Sequence, residues 1–175
     1  GFKGAWLSLW LDKLDAFVYG YSLNPPSNPY MFETLPGKFH KNAFYGDIRD
    51  KVLLGAIIDV VRPKFVFHLA AQPILKRSYK EPELTYETNF IGTMNLLECL
   101  KKSKSIESIV IVTTDKVYRN EHPYIYNEFS PLGGCDPYSA SKACTEILVE
   151  TYGHYFNDKN VSLAWVRSGN CLGGG

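Results

Sequence analysis

The sequence predicts an α/β fold built on a doubly wound parallel sheet. Three observations carry that expectation. Strand-like runs alternate with helical patterns along the whole chain, the order expected of βαβ units with right-handed crossovers. Two of the runs, residues 64–70 and 108–114, are almost entirely apolar, as in strands covered on both faces. The 175 residues, 45% hydrophobic, 21% charged and 14% aromatic, can supply one core of ordinary size. That composition excludes a disordered tail, a collagen-like chain and a low-complexity linker.

Residues 2–14 read as a helix in which Trp6, Leu7, Leu9, Trp10 and Leu14 are apolar. Residues 16–22 read as a strand, and residues 24–38, which hold Pro25, Pro26, Pro29, Pro36 and Gly37, as loop. A short strand is expected at 42–46 and a helix at 49–62, stopped by Pro63. The strand at 64–70 leads to a long helix at 82–103 and the strand at 108–114. A polar loop at 118–137, a helix at about 138–157 and a strand at 161–168 complete the series.

The same numbers narrow the function classes. A net charge of +1 argues against a nucleic-acid partner. No apolar run approaches the ~20 residues that span a bilayer, so no membrane partner is expected. Cys99, Cys135, Cys144 and Cys171 are scattered without a CxxC pair. Neither a metal site nor a disulfide framework is expected, and free thiols in a reducing cytoplasm fit best. His68 sits in an apolar run and reads as a core histidine. The chain opens at Gly1 without Met and stops at Gly173 to Gly175. It therefore reads as a single domain over residues 1–175 cut from a longer enzyme.

Sheets of this kind bind ligands beyond the carboxyl ends of their strands. The positions to weigh are Ser22, Asp47, Ala70 to Gln72, Thr113 to Lys116, and Arg167 to Asn170. Gly1 and Gly4 open the first helix, where glycines let a backbone approach a pyrophosphate. A plain capping turn has the same appearance. Ser22 stands where an acidic residue often grips a ribose. Asp47 can accept from an adenine amine or cap the following helix.

Tyr138 and Lys142 are four residues apart and share one helix face. A lysine ammonium beside the phenol is expected to lower the tyrosine pKa and make Tyr138 a base for an alcohol proton. The alternative is an amphipathic helix with a snorkelling lysine. Upstream, Thr113-Thr114-Asp115-Lys116 ends a buried strand. Its hydroxyls can bond a substrate oxygen, and Asp115 and Lys116 can act as an acid and a base. A strand-end turn with an ion pair is the alternative.

These residues bring a resemblance into view. The chain resembles the extended short-chain dehydrogenase/reductases and, within them, the nucleotide-sugar 4,6-dehydratases. The similarity rests on Gly1-Phe-Lys-Gly-Ala-Trp-Leu7, Gly20-Tyr-Ser-Leu-Asn-Pro-Pro26, Asp47-Ile-Arg49 and His68-Leu-Ala-Ala-Gln-Pro73. It continues through Asn89-Phe-Ile-Gly-Thr-Met-Asn-Leu-Leu97, Thr113-Thr-Asp-Lys-Val-Tyr118, Leu132-Gly-Gly-Cys-Asp-Pro-Tyr-Ser139, and Arg167-Ser-Gly-Asn170 with Gly173 to Gly175. Asp115 resembles the dehydratases rather than the epimerases, which usually carry a small or apolar residue there. Lys116 and the Ser22-Leu-Asn-Pro-Pro26 loop resemble the CDP-glucose branch.

The resemblance implies a Rossmann-like fold, tightly bound NAD and a nucleotide-sugar substrate. Tyr138 would take the O4 proton while a hydride leaves C4, and Thr114 would bond O4. Asp115 would protonate the departing O6 hydroxyl as water leaves across C5 and C6, and the hydride would return to C6. Lys116 would be the C5 base if buried enough to be neutral, or a charged stabiliser of the enolate. Lys142 would hold the nicotinamide ribose. Cofactor contacts are expected from Gly1, Phe2, Gly4, Ser22, Asp47, Ile48, Leu69, Ala70, Ala71, Asn89 and Thr113, besides Tyr138 and Lys142. Substrate contacts are expected from Gln72, Arg77 and Asn170, besides Thr114; Arg77 can equally lie on a solvated surface.

Other expectations follow from the resemblance. A first strand would precede Gly1, leaving the strands at 16–22 and 64–70 facing each other across a gap. A nucleotide-binding lobe would follow Gly175, and this chain alone would be inactive and poorly stable. The full enzyme would be a homo-oligomer paired through the helices at 82–103 and 138–157, which carry Cys99 and Cys144. It would serve the synthesis of surface polysaccharide. The competing readings are an epimerase or decarboxylase of the same superfamily and a non-catalytic NAD-binding regulator.

Overall fold

The computed structural model describes residues 1–26, 28–119 and 125–174. Helix α1 (Phe2–Lys13) leads to strand β1 (Gly20–Ser22), a short helix α2 (Met31–Thr34) and strand β2 (Ala43–Tyr45). Helix α3 (Lys51–Val61) leads to β3 (Phe65–His68). Helices α4 (Leu75–Lys80), α5 (Pro82–Tyr86) and α6 (Gly92–Leu100) then carry the chain to β4 (Ser108–Thr114). Helix α7 (Pro137–Asn157) returns it to β5 (Ser162–Ser168).

The helix limits follow from local chemistry. Asp50 caps α3, its carboxylate accepting from the amides of Val52 at 3.1 Å and Leu53 at 3.0 Å. The helix ends at Arg62, which takes a left-handed conformation before Pro63 forbids continuation. Asp136 caps α7 in the same way, accepting from the Ser139 amide at 2.9 Å and its hydroxyl at 2.6 Å. Pro137 occupies the first turn, where its missing N–H leaves no bond unmade.

Strands β3, β4 and β5 form one parallel sheet in that order, with Phe65 opposite Ser108 and Thr114 opposite Ser168. Ile109 and Ile111 of β4 are fully buried and join Leu96, Leu97 and Leu100 of α6, Val149 and Phe156 of α7, and Leu54 and Ile58 of α3 in one apolar cluster. Strands β1 and β2 pair only with each other among the described residues. The strand pair at the front of the chain and the three-stranded sheet therefore stay separate, as expected of a gap between residues 16–22 and 64–70.

Several expectations need correction. The first strand is Gly20–Ser22 rather than residues 16–22. The run at 64–70 forms a strand only at Phe65–His68, and it is not covered on both faces. Val66 and His68 turn toward the core, whereas Phe65 is 61% and Phe67 40% exposed. The strand lies at the edge of its sheet, and nothing among the described residues covers that face. The predicted helix at 82–103 is α5, a π-helical turn at Glu87–Ile91, then α6. The loop at 24–38 holds α2, and α4 was not foreseen. Residues 120–124 of the predicted loop at 118–137 lie outside the described residues.

Candidate active site

The carboxyl end of β4 and the first two turns of α7 form the site. Strand β4 delivers Thr113 and Thr114, and the tight turn after it holds Asp115 and Lys116, both exposed. The Thr114 hydroxyl donates to Asp115 Oδ1 at 3.2 Å and accepts from the Lys116 amide at 3.4 Å, which starts the turn. The segment after the turn runs back along Val117 to Arg119, with Arg119 N bonded to Pro131 O at 2.9 Å and Gly133 N to Val117 O at 2.8 Å. A side chain at Gly134 would collide with the backbone of Ser139 and Ala140, so only glycine lets this return strand lie against the start of α7.

Tyr138 thus lies beside the Thr114 side chain. The expected lowering of the Tyr138 pKa is not observed. Burial raises it, and the negative charges of Asp115 and Asp136 add to the rise; only the Thr114 hydroxyl works the other way. Lys142 does not act on the phenol because its ammonium is turned inward to the carbonyl of Val112 at 3.0 Å. Burial and, after it, the nearby charge of Lys3 bring the Lys142 pKa down to about 8 against the opposing charge of Glu146.

Asn89 sits in the π-helical turn and is fully buried. Its side chain accepts from Gln72 N at 2.8 Å and donates to Gln72 O at 3.2 Å and Ser141 Oγ at 2.9 Å. The carbonyl of Asn89 accepts from Thr93 and Thr145. The π turn frees these groups, a device often found at functional sites. It ties the segment after β3 to the helix that carries Tyr138 and Lys142.

The start of α1 meets the other side of the site. Lys3 Nζ lies 3.5 Å from Ser168 Oγ at the end of β5, and Trp6 bonds the carbonyl of Gly174 at 3.0 Å. Among the described residues no side chain caps this 12-residue helix, and its first turn holds no acidic residue. A Cβ at Gly4 would meet no other group within 4 Å among the described residues. Free amides, a nearby lysine and a bare backbone fit a diphosphate.

Other predicted residues are placed differently. The Thr113 hydroxyl points inward, donating to Glu146 Oε1 at 2.6 Å, and Ile48 belongs to the apolar cluster. Either would meet a cofactor through its backbone only. Gln72 is buried, with its amide bonded to Thr85 and Ile74, so its side chain is a clamp rather than a substrate contact. Arg77 is an exposed surface residue, paired with Glu81 at 2.9 Å. Lys116 is exposed, so the chain does not supply the burial that its role as a neutral base requires. Asp47 does not cap α3. Its carboxylate is gripped by Arg49, which also bonds Glu87 at 2.7 Å, and this holds the Asp47 pKa low. Ser22 ends β1 and is exposed; Leu69, Ala70 and Ala71 follow β3 and are partly buried. Asn170 is exposed beside Gly169, whose Cα faces Asp115 with space for a Cβ 3.6 Å from its carboxylate. Cys99 is buried against α3, so it does not lie on an outer face of its helix, whereas Cys144 is exposed.

Glu146 was missed by sequence reasoning, although it continues the Tyr138–Lys142 spacing by another four residues. Asp136 as the cap of α7 was missed too, although the order Asp-Pro signals a helix start. Among the described residues no helix is long and apolar enough to cross a membrane.

The family model for GDP-mannose 4,6 dehydratase matches residues 1–166. The chain belongs to this family. The CDP-glucose 4,6-dehydratase of Salmonella typhimurium is 44% identical over all of the chain and 51% of its own length. The dTDP-D-glucose 4,6-dehydratase of Dictyostelium discoideum is 33% identical over 87% of the chain and 38% of its length. The chain thus spans about half or less of these family members. Among solved structures, the UDP-glucose 4-epimerase of Thermus thermophilus in complex with NAD superposes with a TM-score of 0.64 at 28% identity, covering 77% of this chain and 44% of that one.

Proposed function

We propose that this chain is the catalytic half of an NAD-dependent nucleotide-sugar 4,6-dehydratase whose substrate is CDP-glucose. The observation that carries the reading is the placement of one acid beside one alcohol base. Tyr138 lies beside Thr114, and Thr114 is bonded to Asp115. An enzyme that only oxidises and reduces the sugar needs the tyrosine; removing water also needs a proton donor at the leaving oxygen. The likeness to a relative named CDP-glucose 4,6-dehydratase supports the choice of base and sugar.

Bound at the uncapped end of α1 and beside Lys142, NAD would take up hydrogen from sugar C4 and return it at C6. Tyr138 takes the O4 proton, with O4 held by Thr114. Burial keeps the phenol pKa up while the Lys142 ammonium is turned to Val112 O, so taking the O4 proton requires the bound sugar and cofactor to bring that cation to the phenol. The C4 ketone acidifies the C5 proton. As that proton passes to solvent at the exposed turn, the C5–C6 double bond forms, the C6–O6 bond breaks, and the protonated carboxyl of Asp115 gives its proton to O6, releasing water; C5 takes a proton back when the hydride returns to C6. The exposed ammonium of Lys116 stabilises the enolate charge.

The test uses the complete reading frame that contains this sequence. It is incubated with CDP-, dTDP-, GDP- and UDP-hexoses, and loss of one water is sought by mass spectrometry. Loss from CDP-glucose alone is expected. Loss from a different nucleotide sugar keeps the reaction and refutes the substrate. No loss from any refutes the dehydratase.

A further inference from the structure

Glu146 takes no part in the chemistry above, yet its carboxylate is 1% exposed inside the molecule. It lies one turn beyond Lys142 and two beyond Tyr138 on α7. One oxygen accepts from the Thr113 hydroxyl at 2.6 Å. Both oxygens accept from Arg167 of β5, from Nε at 3.1 and 3.0 Å and from Nη2 at 2.6 Å. The remaining arm, Nη1, donates to the carbonyls of Asn127 at 3.4 Å and Glu128 at 3.2 Å. The guanidinium also lies 4.8 Å from the ring centre of Tyr118, which stacks on Tyr126 at 4.6 Å.

A buried ion pair is a poor source of net stability, since apolar side chains of equal volume often do as well. Its placement gives a better account. Thr113 and Tyr118 flank Thr114, Asp115 and Lys116, and one ion pair holds both flanks. Thr113 is held through Glu146, and Tyr118 through Arg167. We infer that the Glu146–Arg167 pair is a positioning device that sets the acid-bearing turn against the helix carrying Tyr138 and Lys142. This rests on the dehydratase reading. Only the elimination uses Asp115, so disturbing the pair slows elimination more than oxidation at C4.

Arg167→Lys keeps the charge but loses the fork and the planar stack. In the full-length enzyme it is expected to lower kcat about 100-fold with KM little changed, the size of effect that small misplacements of reacting groups produce. The isotope effect on kcat with sugar deuterated at C5 is expected to rise, and that with sugar deuterated at C4 to fall. Tyr118→Leu leaves the ion pair whole and releases one flank; it is expected to move both isotope effects in the same directions and serves if Arg167→Lys does not fold. Unchanged kcat, or lost activity that follows lost folded protein with unchanged isotope effects, overturns the inference. A wild-type enzyme that removes no water refutes the underlying dehydratase reading instead. Wild-type water loss with unaltered isotope effects in the variants refutes this inference alone.

Discussion

Tyr138 and Lys142 show how far a residue's chemistry depends on what surrounds it. Their spacing places them on one face, but the ammonium bonds a backbone carbonyl and the phenol is buried beside Thr114. Tyr138→Phe is expected to lower kcat by about 10³-fold, the range for loss of a positioned acid–base group, with KM little changed. Lys142 has a folded pKa of about 8 against 10.5 for an ordinary lysine. Between those values the unfolded chain binds more protons, so this group's contribution to stability rises as pH rises from about 8 to 10.5. Chemical denaturation across that range should show the wild type gaining on Lys142→Met. His68 works in the opposite range. Burial first, and the charge of Lys142 second, bring its pKa to about 3, and it sits 2.9 Å from the Thr93 hydroxyl. The unfolded chain takes up a proton near pH 6.5 that the folded chain refuses, so stability is lost as pH falls from about 6.5 toward 3. A denaturation midpoint that stays flat over that range would contradict this.

At the scale of elements, two helices carry the site and each begins or bends for a stated reason. Asp136 makes two short bonds to Ser139 and so fixes where Tyr138 points. Asp136→Ala is expected to destabilise by about 1 kcal/mol, measured by chemical denaturation, and to lower activity in the full-length enzyme as well. The π turn at Glu87–Ile91 lies inside the helix expected over residues 82–103. What sets it apart is Asn89, which bonds a strand-end segment and a second helix at once. Such a bond has no local signal, since its partners are 17 and 52 residues away. Asn89→Ala is expected to cost about 1–3 kcal/mol, because the Gln72 amide and carbonyl would be left buried without partners.

The whole molecule divides unequally. The sheet of β3, β4 and β5 is bound to three helices by an apolar cluster, whereas β1 and β2 pair over only three residues each. In the isolated chain, amide exchange should be fastest at Gly20–Ser22 and Ala43–Tyr45 and slowest in β4 and the middle of α7. Equal protection in both sheets would show that the chain folds as one cooperative unit.

The order of strands and helices, the Tyr138–Lys142 face and the Thr114–Asp115–Lys116 turn were legible in the sequence. Each depends on neighbours within a few residues, and apolar periodicity and strand-end position are local properties. The sequence also announced the parallel sheet, because β4 needs apolar residues wherever it is covered. Tertiary structure alone decided how the parts are charged and aimed. It turned Lys142 away from the phenol, folded Gln72 into a clamp and left Phe65 and Phe67 of β3 exposed among the described residues. It also joined Glu146 to Arg167 across 21 residues. Burial and partner geometry set pKa values and side-chain direction, and both come from segments that meet only when the chain is folded.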